Sequence, residues 1–562
     1  MPRRRVLIVG GVAGGASCAA RLRRLDEESE IVIFDRGAHV SFANCGLPYF
    51  VGNVIADERK LLVASAQLFH DRFAIAVRTR HEVLAIDRLR RTIRVRDLDA
   101  PGGAAERDEP YDVLVLAPGA APIRPPLAGI DLPGIFAVRT IPDSVRIRRW
   151  IDERKPQRAL VVGGGFIGLE MAENLTARGL RTTVLEKLPQ VMPPFDPEMA
   201  LEVAEHLRRF DVDLRLGDGL ARFERGEGEV LVAITESGAR VESDLVILAI
   251  GVRPETELAT KAGLPVGPRG GIVVDAAMRT ADPAIWAVGD AVEVRDVVTG
   301  QEVIVPLAGP ANRQGRIAAA SICGRPCGFR GVQATAVVGV FGLAAACTGA
   351  SEKGLKRAGV TDFAKVYLHP GHHAAYYPGA QPIRLKLLFS VADGRVLGAQ
   401  AVGTEGVEKR IDVIAAVIQL GGTVYDLAET ELCYAPQFGG AKDPVNLAGM
   451  IAANHLDGLM PLADWQALER IGAVLLDVRD AEEYASGHVE GAVHVPLSEL
   501  RRRHGELPQE RPIAVYCGVG QRAYYATRFL LQRGYRAANL SGGYATYRAL
   551  QAVGLAPPKT HS

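Results

Sequence analysis

Cysteine and aromatic residues are scarce in this chain. It has seven cysteines in 562 residues, and Phe, Trp and Tyr together make up 6%. Seven dispersed thiols build no disulfide framework, which excludes a small cross-linked scaffold and points to a reducing compartment, the cytoplasm by default. An excess of one charge is missing too: 66 Lys and Arg face 65 Asp and Glu, for a net charge of +1. That balance carries no nucleic-acid footprint. No apolar run reaches the ~18 residues that a membrane span needs, since the longest, "AVVGVFGLAAACTGA", is broken by glycine. The start "MPRRRVLIVGG" has four apolar residues before its glycines, too few for the core of a signal peptide. Neither a membrane nor a nucleic-acid partner is expected, and no metal site.

What is present is a long globular composition, 48% hydrophobic and 23% charged. The length calls for about three to five domains. The segment "RRVLIVGGVAGGASCAARLRR" reads as a buried strand, a glycine turn at Gly10, Gly11, Gly14 and Gly15, and a helix of small residues that packs closely on a sheet. The strand "IVIFD" ends at Asp35, whose carboxylate suits a ribose hydroxyl. Val12 stands where the middle glycine of G-x-G-x-x-G belongs. A second turn is complete: "ALVVGGGFIGLEMAENL" carries Gly163, Gly165 and Gly168, and "TTVLE" ends at Glu186. An acid there accepts both ribose hydroxyls and repels a 2′-phosphate, which favours NADH over NADPH, although Lys187 lies beside it. A third signal, "TADPAIWAVGDAVEV", places Asp290 after an apolar strand, where an acid can bond a ribityl hydroxyl.

These three segments, with "VLVLAPGAAP" and "LVILAIGVRPET", resemble the flavoprotein pyridine nucleotide-disulfide oxidoreductases over about residues 1 to 450. The resemblance implies that the first turn binds FAD and the second NAD(P)H. Dithiol members of such a chemistry open a disulfide with one sulfur and expel the product with a second, yet "SFANCGLPYF" holds Cys45 alone. Within the family this stretch is similar to the coenzyme A-disulfide reductases, which keep one redox cysteine. The resemblance implies that CoA supplies the second sulfur as a mixed disulfide on Cys45. A bound oxidised flavin and a nearby helix N-terminus are expected to stabilise the Cys45 thiolate. Ser17, Arg21, Arg24, Ser41, Asn44, Asn312 and Lys442 match the family's CoA-contacting positions. Arg21 and Arg24, three apart, share a helix face. Phe73 departs from the pattern, standing where a lysine is expected.

The stretch from "HHAAYYPGAQPIRLKLLF" to "TELCYAPQFGGAKDPVN" resembles the family's dimerisation domain, which implies a homodimer. Its tyrosines, Tyr434 and Tyr376 here rather than Tyr377, reach the other subunit's redox cysteine and can donate to a leaving thiolate. Cys433 beside Tyr434 reads either as a buried spectator or as a thiol near that cysteine. Cys323 and Cys327 read as spectators. After "NHLDGLMPLADWQAL" the pattern restarts. Cys517 follows an apolar strand and precedes a helix, so the loop from Cys517 to Arg522 offers backbone N–H groups to an anionic persulfide. With "DVRDAEEYASGHVEGAVHVP" it resembles a rhodanese, a sulfurtransferase domain, with Tyr547 in place of an expected tryptophan.

The expected fold is α/β: two Rossmann-like nucleotide-binding domains, an α+β dimerisation domain and a C-terminal rhodanese-like domain. The expected boundaries are 1–150 and 276–325 for the two parts of the FAD domain, 151–275 for the NAD(P) domain, 326–452 for the dimerisation domain and 461–556 for the rhodanese. The expected function is NADH-driven, FAD-dependent reduction of CoA disulfide, CoA persulfide or polysulfide through Cys45, coupled to sulfane-sulfur handling at Cys517. Two other readings stay open: a peroxidase or oxidase that cycles Cys45 through a sulfenic acid, and a non-enzymatic persulfide sensor or carrier.

Overall fold

The computed structural model describes residues 4–100, 105–468 and 472–556. The chain divides into two compact units, residues 1–189 with 211–332, and residues 190–210 with 333–562. In the first unit the runs "RVLIV" and "EIVIF" are buried on both faces, as parallel strands covered by helices must be. They sit in a five-stranded sheet ordered Ile285–Ala287, Val113–Leu116, Arg5–Val9, Glu30–Phe34 and Ala76–Arg78, with every pairing parallel. A second parallel sheet repeats the plan, with Arg158–Val162 at its centre between Arg181–Glu186 and Leu245–Leu248. In both sheets the central strand leads through a glycine turn into a helix, Ala13–Arg23 in one and Phe166–Ala177 in the other. These are the two expected nucleotide-binding folds.

The second unit holds a five-stranded antiparallel sheet, ordered Ala336–Val340, Leu343–Gly349, Val396–Gly403, Ile383–Ser390 and Phe363–Leu368. A smaller parallel sheet follows, with Ile513–Tyr516 between Ala537–Leu540 and Val474–Asp477. Residues 190–210, inside the stretch expected to form the NAD(P) domain, belong to this second unit. Charge explains the assignment. Lys386 is fully buried, and its ammonium donates to Asp196 Oδ2 (2.8 Å), Glu198 Oε1 (2.6 Å) and Glu352 Oε2 (2.8 Å). The Tyr367 hydroxyl donates to Glu198 Oε1 at 2.8 Å, and Gln400 Nε2 to Asp196 Oδ2 at 2.7 Å. Burial alone would strip the Lys386 proton, but the ring of anions holds its pKa well above the usual lysine value.

The two sheets of the second unit are tied together. Ser541 Oγ accepts from the Tyr367 amide at 2.8 Å while Ser541 O accepts from the Trp465 indole at 3.1 Å. His369 Nε2 meets Thr546 Oγ1 at 3.0 Å, and Lys365 pairs with Asp464 at 3.1 Å. Among the described residues no helix is long and apolar enough to cross a membrane.

Candidate active site

The two glycine turns are built alike. Gly10 and Gly163 take left-handed φ values of 93° and 111°, which glycine adopts without strain. A Cβ at Gly15 would stand 1.9 Å from Gly10 O, and one at Gly168 the same 1.9 Å from Gly163 O, so both helices press on their turns as only glycine allows. Val12 at the middle position has a negative φ of −96°, so no left-handed backbone demands glycine there. Its counterpart Gly165 has nothing within 4 Å of where a Cβ would stand, leaving room for a ligand to approach the backbone. Gly14 lies against Val288, beside Gly289 and Asp290.

The acids after each second strand also match. Asp35 accepts from the amides of Gly11 (2.9 Å) and Gly37 (2.8 Å). Glu186 accepts from the amides of Gly164 (2.6 Å) and Leu188 (2.8 Å). Each carboxylate pins its turn and keeps lone pairs for a further donor. Gly164 was absent from the expected set because its role is to donate an amide, which any residue type can do. Lys187 is drawn off to Glu236 at 2.7 Å. Asp290 is half-buried, and burial raises its pKa against the opposing pull of Arg139. Its carboxyl accepts no hydrogen bond from a described residue, as fits a group whose partner is a ligand hydroxyl. Two open turns, two oriented acids and this unpartnered carboxyl fit one FAD and one nicotinamide dinucleotide.

Cys45 is exposed in the short turn Asn44–Gly46, ahead of the five-residue helix Leu47–Val51. Asn44 Nδ2 donates to Arg139 O at 3.3 Å, and Ser41, at φ 47°, sends its amide to Gly11 O at 2.7 Å. The redox loop is thus anchored to the first glycine turn. The expected thiolate stabilisation is not found in the chain's own groups. Burial, then Glu170 and Asp290, push the Cys45 thiol up, and the backbone opposes only weakly. Glu170 rises from the helix Phe166–Ala177 and accepts from the Tyr49 hydroxyl at 3.2 Å. Burial raises its pKa, and burial together with Glu170 pushes Tyr49 up to about 12. Sequence reasoning passed over Glu170, which reads as an ordinary helix-face acid until the Leu47–Val51 helix covers it.

The CoA-type positions of the first unit lie on two packed helices, Ala13–Arg23 and Ala308–Ile322. Ser17 Oγ donates to Asn312 Oδ1 across them. Arg21 Nε is buried without a hydrogen-bond partner, and Arg21 is pushed down by burial and by the neighbouring Arg316, Arg24 and Arg325. Arg316, one turn after Asn312, and Arg325 extend the expected cationic set. Such crowding of like charge suits a polyanionic ligand. Phe73, where a lysine was expected, is half-buried against the apolar core, and its carbonyl accepts from Arg23 Nε at 2.7 Å.

In the second unit the Tyr376 and Tyr434 hydroxyls meet at 2.6 Å while both rings stay exposed. That bond raises the Tyr376 pKa. Tyr377 instead packs edge-on to His373. Cys433 and Lys442 are exposed on the same connecting stretch. Cys433 is thus exposed rather than buried within the single chain. Cys323 and Cys327 are half-buried with pKa values raised, chiefly by burial.

Cys517 is 1% exposed, and its Sγ accepts from the Gly520 amide at 3.1 Å. The loop bends at Gly520, φ 103°, into the helix Gln521–Gln532. Tyr544 N and Ala545 N donate to Cys517 O and Gly518 O at 2.7 and 3.0 Å, so the turn after Ser541 braces the loop. The motif residues have structural tasks. Arg479 forms a buried bidentate pair with Asp477, and Tyr484 is stacked between His488 and His494. Arg522 is held by Glu483 (2.6 and 2.7 Å) and Asp480 (2.9 Å), and the Glu483 bonds raise its pKa. Tyr547 is buried against Trp465, filling the place of the expected tryptophan.

Family profiles match three stretches of the chain. "Pyridine nucleotide-disulphide oxidoreductase" matches residues 4–315, its dimerisation domain 335–443, and "Rhodanese-like domain" 464–550. The chain is 35% identical to a coenzyme A disulfide reductase of Staphylococcus epidermidis over 79% of its length and 99% of the relative's. The reduced CoADR-RHD of Bacillus anthracis is similar in structure, with a TM-score of 0.95 and 45% identity, over 98% of this chain and 99% of that one. A NAD-dependent persulfide reductase from A. fulgidus matches with a TM-score of 0.88 and 37% identity, over 96% and 99%. With both nucleotide turns, a dimerisation domain and a rhodanese-like domain in place, this chain belongs to the pyridine nucleotide-disulphide oxidoreductase family.

Proposed function

We propose that this protein is a homodimeric, cytoplasmic, NADH-driven reductase of CoA disulfide, CoA persulfide or polysulfide, with Cys45 as its redox sulfur. The observation that carries this reading is the placement of one exposed thiol, Cys45, on a loop hydrogen-bonded to the first glycine turn. The cationic cluster around Arg21 supports a phosphate-bearing thiol as substrate. Bound FAD, held by the Gly10–Gly15 turn, Asp35 and Asp290, supplies the two-electron relay from nicotinamide to sulfur. Cys45 does the covalent work. Its thiolate attacks one sulfur of a CoA disulfide, that S–S bond breaks, one thiol leaves with a proton, and Cys45 keeps the other half. With a persulfide, attack on the inner sulfur releases sulfide and leaves the same mixed disulfide. In the dimer, the Tyr376 and Tyr434 hydroxyls of one protomer donate to the thiolate leaving the other's site. Ser17, Arg24, Ser41, Asn44 and Asn312 hold CoA beside Arg21, Lys442 is a further CoA contact, and the Cys517 loop accepts sulfane sulfur.

Intact-protein mass spectrometry tests the reading directly. CoA on Cys45 that NADH releases is the expected result; a sulfenic acid on Cys45 with no thiol adduct would replace it with the peroxidase reading. Coenzyme choice is a second test. Because Glu186 faces the second turn and Lys187 is neutralised by Glu236, NADH should exceed NADPH in kcat/KM. Glu186→Gln should narrow the gap by roughly tenfold or more, the scale of one lost charged hydrogen bond. Native enzyme that uses NADPH equally well would refute the role given to Glu186.

A further inference from the structure

The mouth of the Cys517 loop is acidic although its backbone is built for an anion. The loop side chains Val519 and Gln521 carry no charge, the loop's own cation, Arg522, is clamped by two carboxylates, Glu483 and Asp480, and the neighbouring Arg479 is offset by its buried pair with Asp477. One guanidinium against two carboxylates leaves −1. The clamp lies over the loop itself: a Cβ at Gly518 would stand 3.6 Å from Arg522 Nη2 and the same from Glu483 Oε1. Beneath it Cys517 is 1% exposed. A sulfur donor must therefore pass a net negative, narrow entrance to reach Sγ.

We propose that Glu483, with Asp480, sets the donor class of this domain: thiol-bound persulfides, R–S–SH or R–S–S⁻, rather than thiosulfate. Resting on the sulfane-sulfur role proposed above, it names the donor chemistry and the residues that select it. Two physical differences separate the donors. Thiosulfate is a dianion that needs a free cation at the entrance, and like-charge contact opposes its entry. It also carries a tetrahedral sulfonate directly behind its outer sulfur, whereas a persulfide follows its outer sulfur with one divalent sulfur and a methylene. The transfer balances without any oxidant. The Cys517 thiolate attacks the outer sulfur of R–S–SH, the donor S–S bond breaks as the Cys517 S–S bond forms, and the R–S⁻ leaving group takes the proton. The new terminal sulfur carries the negative charge into the ring of loop amides, where the Gly520 N–H already bonds Sγ.

The test is loading of Cys517 in the full-length protein, read by quenched mass spectrometry with the persulfide of 2-mercaptoethanol, which carries no charge beyond its persulfide, or thiosulfate as donor. Native protein should load from the persulfide at least tenfold more efficiently. Glu483→Gln should raise thiosulfate kcat/KM by about tenfold, ~1.4 kcal/mol, and change persulfide loading far less; Glu483→Asp should keep the native preference. Val519→Lys, on an exposed side chain, adds a cation without touching the clamp and should act in the same direction. Equal native use of the two donors, or no gain for thiosulfate in either Glu483→Gln or Val519→Lys, overturns the proposal and leaves the reductase reading intact. Loading from neither donor overturns the sulfane-sulfur role together with it.

Discussion

Cys45→Ser is expected to abolish every NADH-coupled reduction, on CoA disulfide and on polysulfide alike, by roughly 10³-fold or more, the scale seen when a nucleophile is removed. A serine hydroxyl neither attacks sulfur at neutral pH nor holds a thiol as a disulfide. Reduction of bound flavin by NADH should persist, since the nucleotide turns do not depend on Sγ. Cys517→Ser should have a narrower effect. It removes the sulfur acceptor of a separate sheet, so persulfide loading disappears and polysulfide-driven NADH oxidation falls, while CoA disulfide reduction survives. Parallel steady-state assays of the two variants decide the matter. If Cys517→Ser leaves polysulfide reduction at the native rate, the rhodanese-like domain does not feed that reaction.

The second large effect is on stability. Lys386→Met should destabilise the second unit by about 3–5 kcal/mol, the cost of leaving a buried ionic partner uncompensated, because Asp196, Glu198 and Glu352 then share a site without their central cation. The sign of the pH dependence should invert. In the native protein Asp196 and Glu352 have lowered pKa values: burial alone would raise them, but Lys386, helped by the Glu352 and Lys353 amides at Asp196 and by Lys365 and Lys356 at Glu352, outweighs it. Their contribution is therefore present above the unfolded carboxylate range near pH 4 and is lost as pH falls through the lower folded values. Without Lys386 the carboxylates of Asp196 and Glu198 face each other without their shared cation, while Glu352 keeps Lys365 and Lys356, so the variant should lose stability as pH rises and recover part of it on acidification. Urea unfolding at pH 7.5 and 5, followed by a probe in the second unit, measures both. A loss below ~1 kcal/mol would mean that the cluster contributes no more than a surface pair.

What could be read from the sequence was whatever repeats at short range. Both nucleotide turns, the strand before each and the acid after each are local patterns, and the spacing from Gly10 to Gly15 and from Gly163 to Gly168 carries the same contact at the same distance. The Cys517 loop was legible for the same reason. The assignment of residues 190–210 was not. It depends on Asp196, Glu198, Glu352 and Lys386, four charges from three distant stretches, each of which looks like a solvated surface residue until they meet. Glu170 and Arg316 were hidden similarly, by burial under another helix in one case and by a shared face with Asn312 in the other. Among the chain's own groups, burial and then Glu170 and Asp290, neither adjacent in sequence to Cys45, push its thiol up, which no local pattern around Cys45 reveals.

The double use of Ser541 has a consequence for anyone who would cut this gene. The rhodanese-like segment looks like a detachable cassette joined by a short connection after residue 456, yet it is upholstered onto its neighbour. Excising it takes away the acceptor of the Tyr367 amide, the Thr546 partner of His369, the Asp464 partner of Lys365 and the helix Gly543–Ala552 that covers Pro197–Arg209. A truncated reductase would need new polar side chains along Phe363–Leu368 to be soluble on its own, and a transplanted rhodanese would arrive with Ser541 and Thr546 facing the wrong solvent. Domain swaps in this chain are better made with strand Phe363–Leu368 included in the graft.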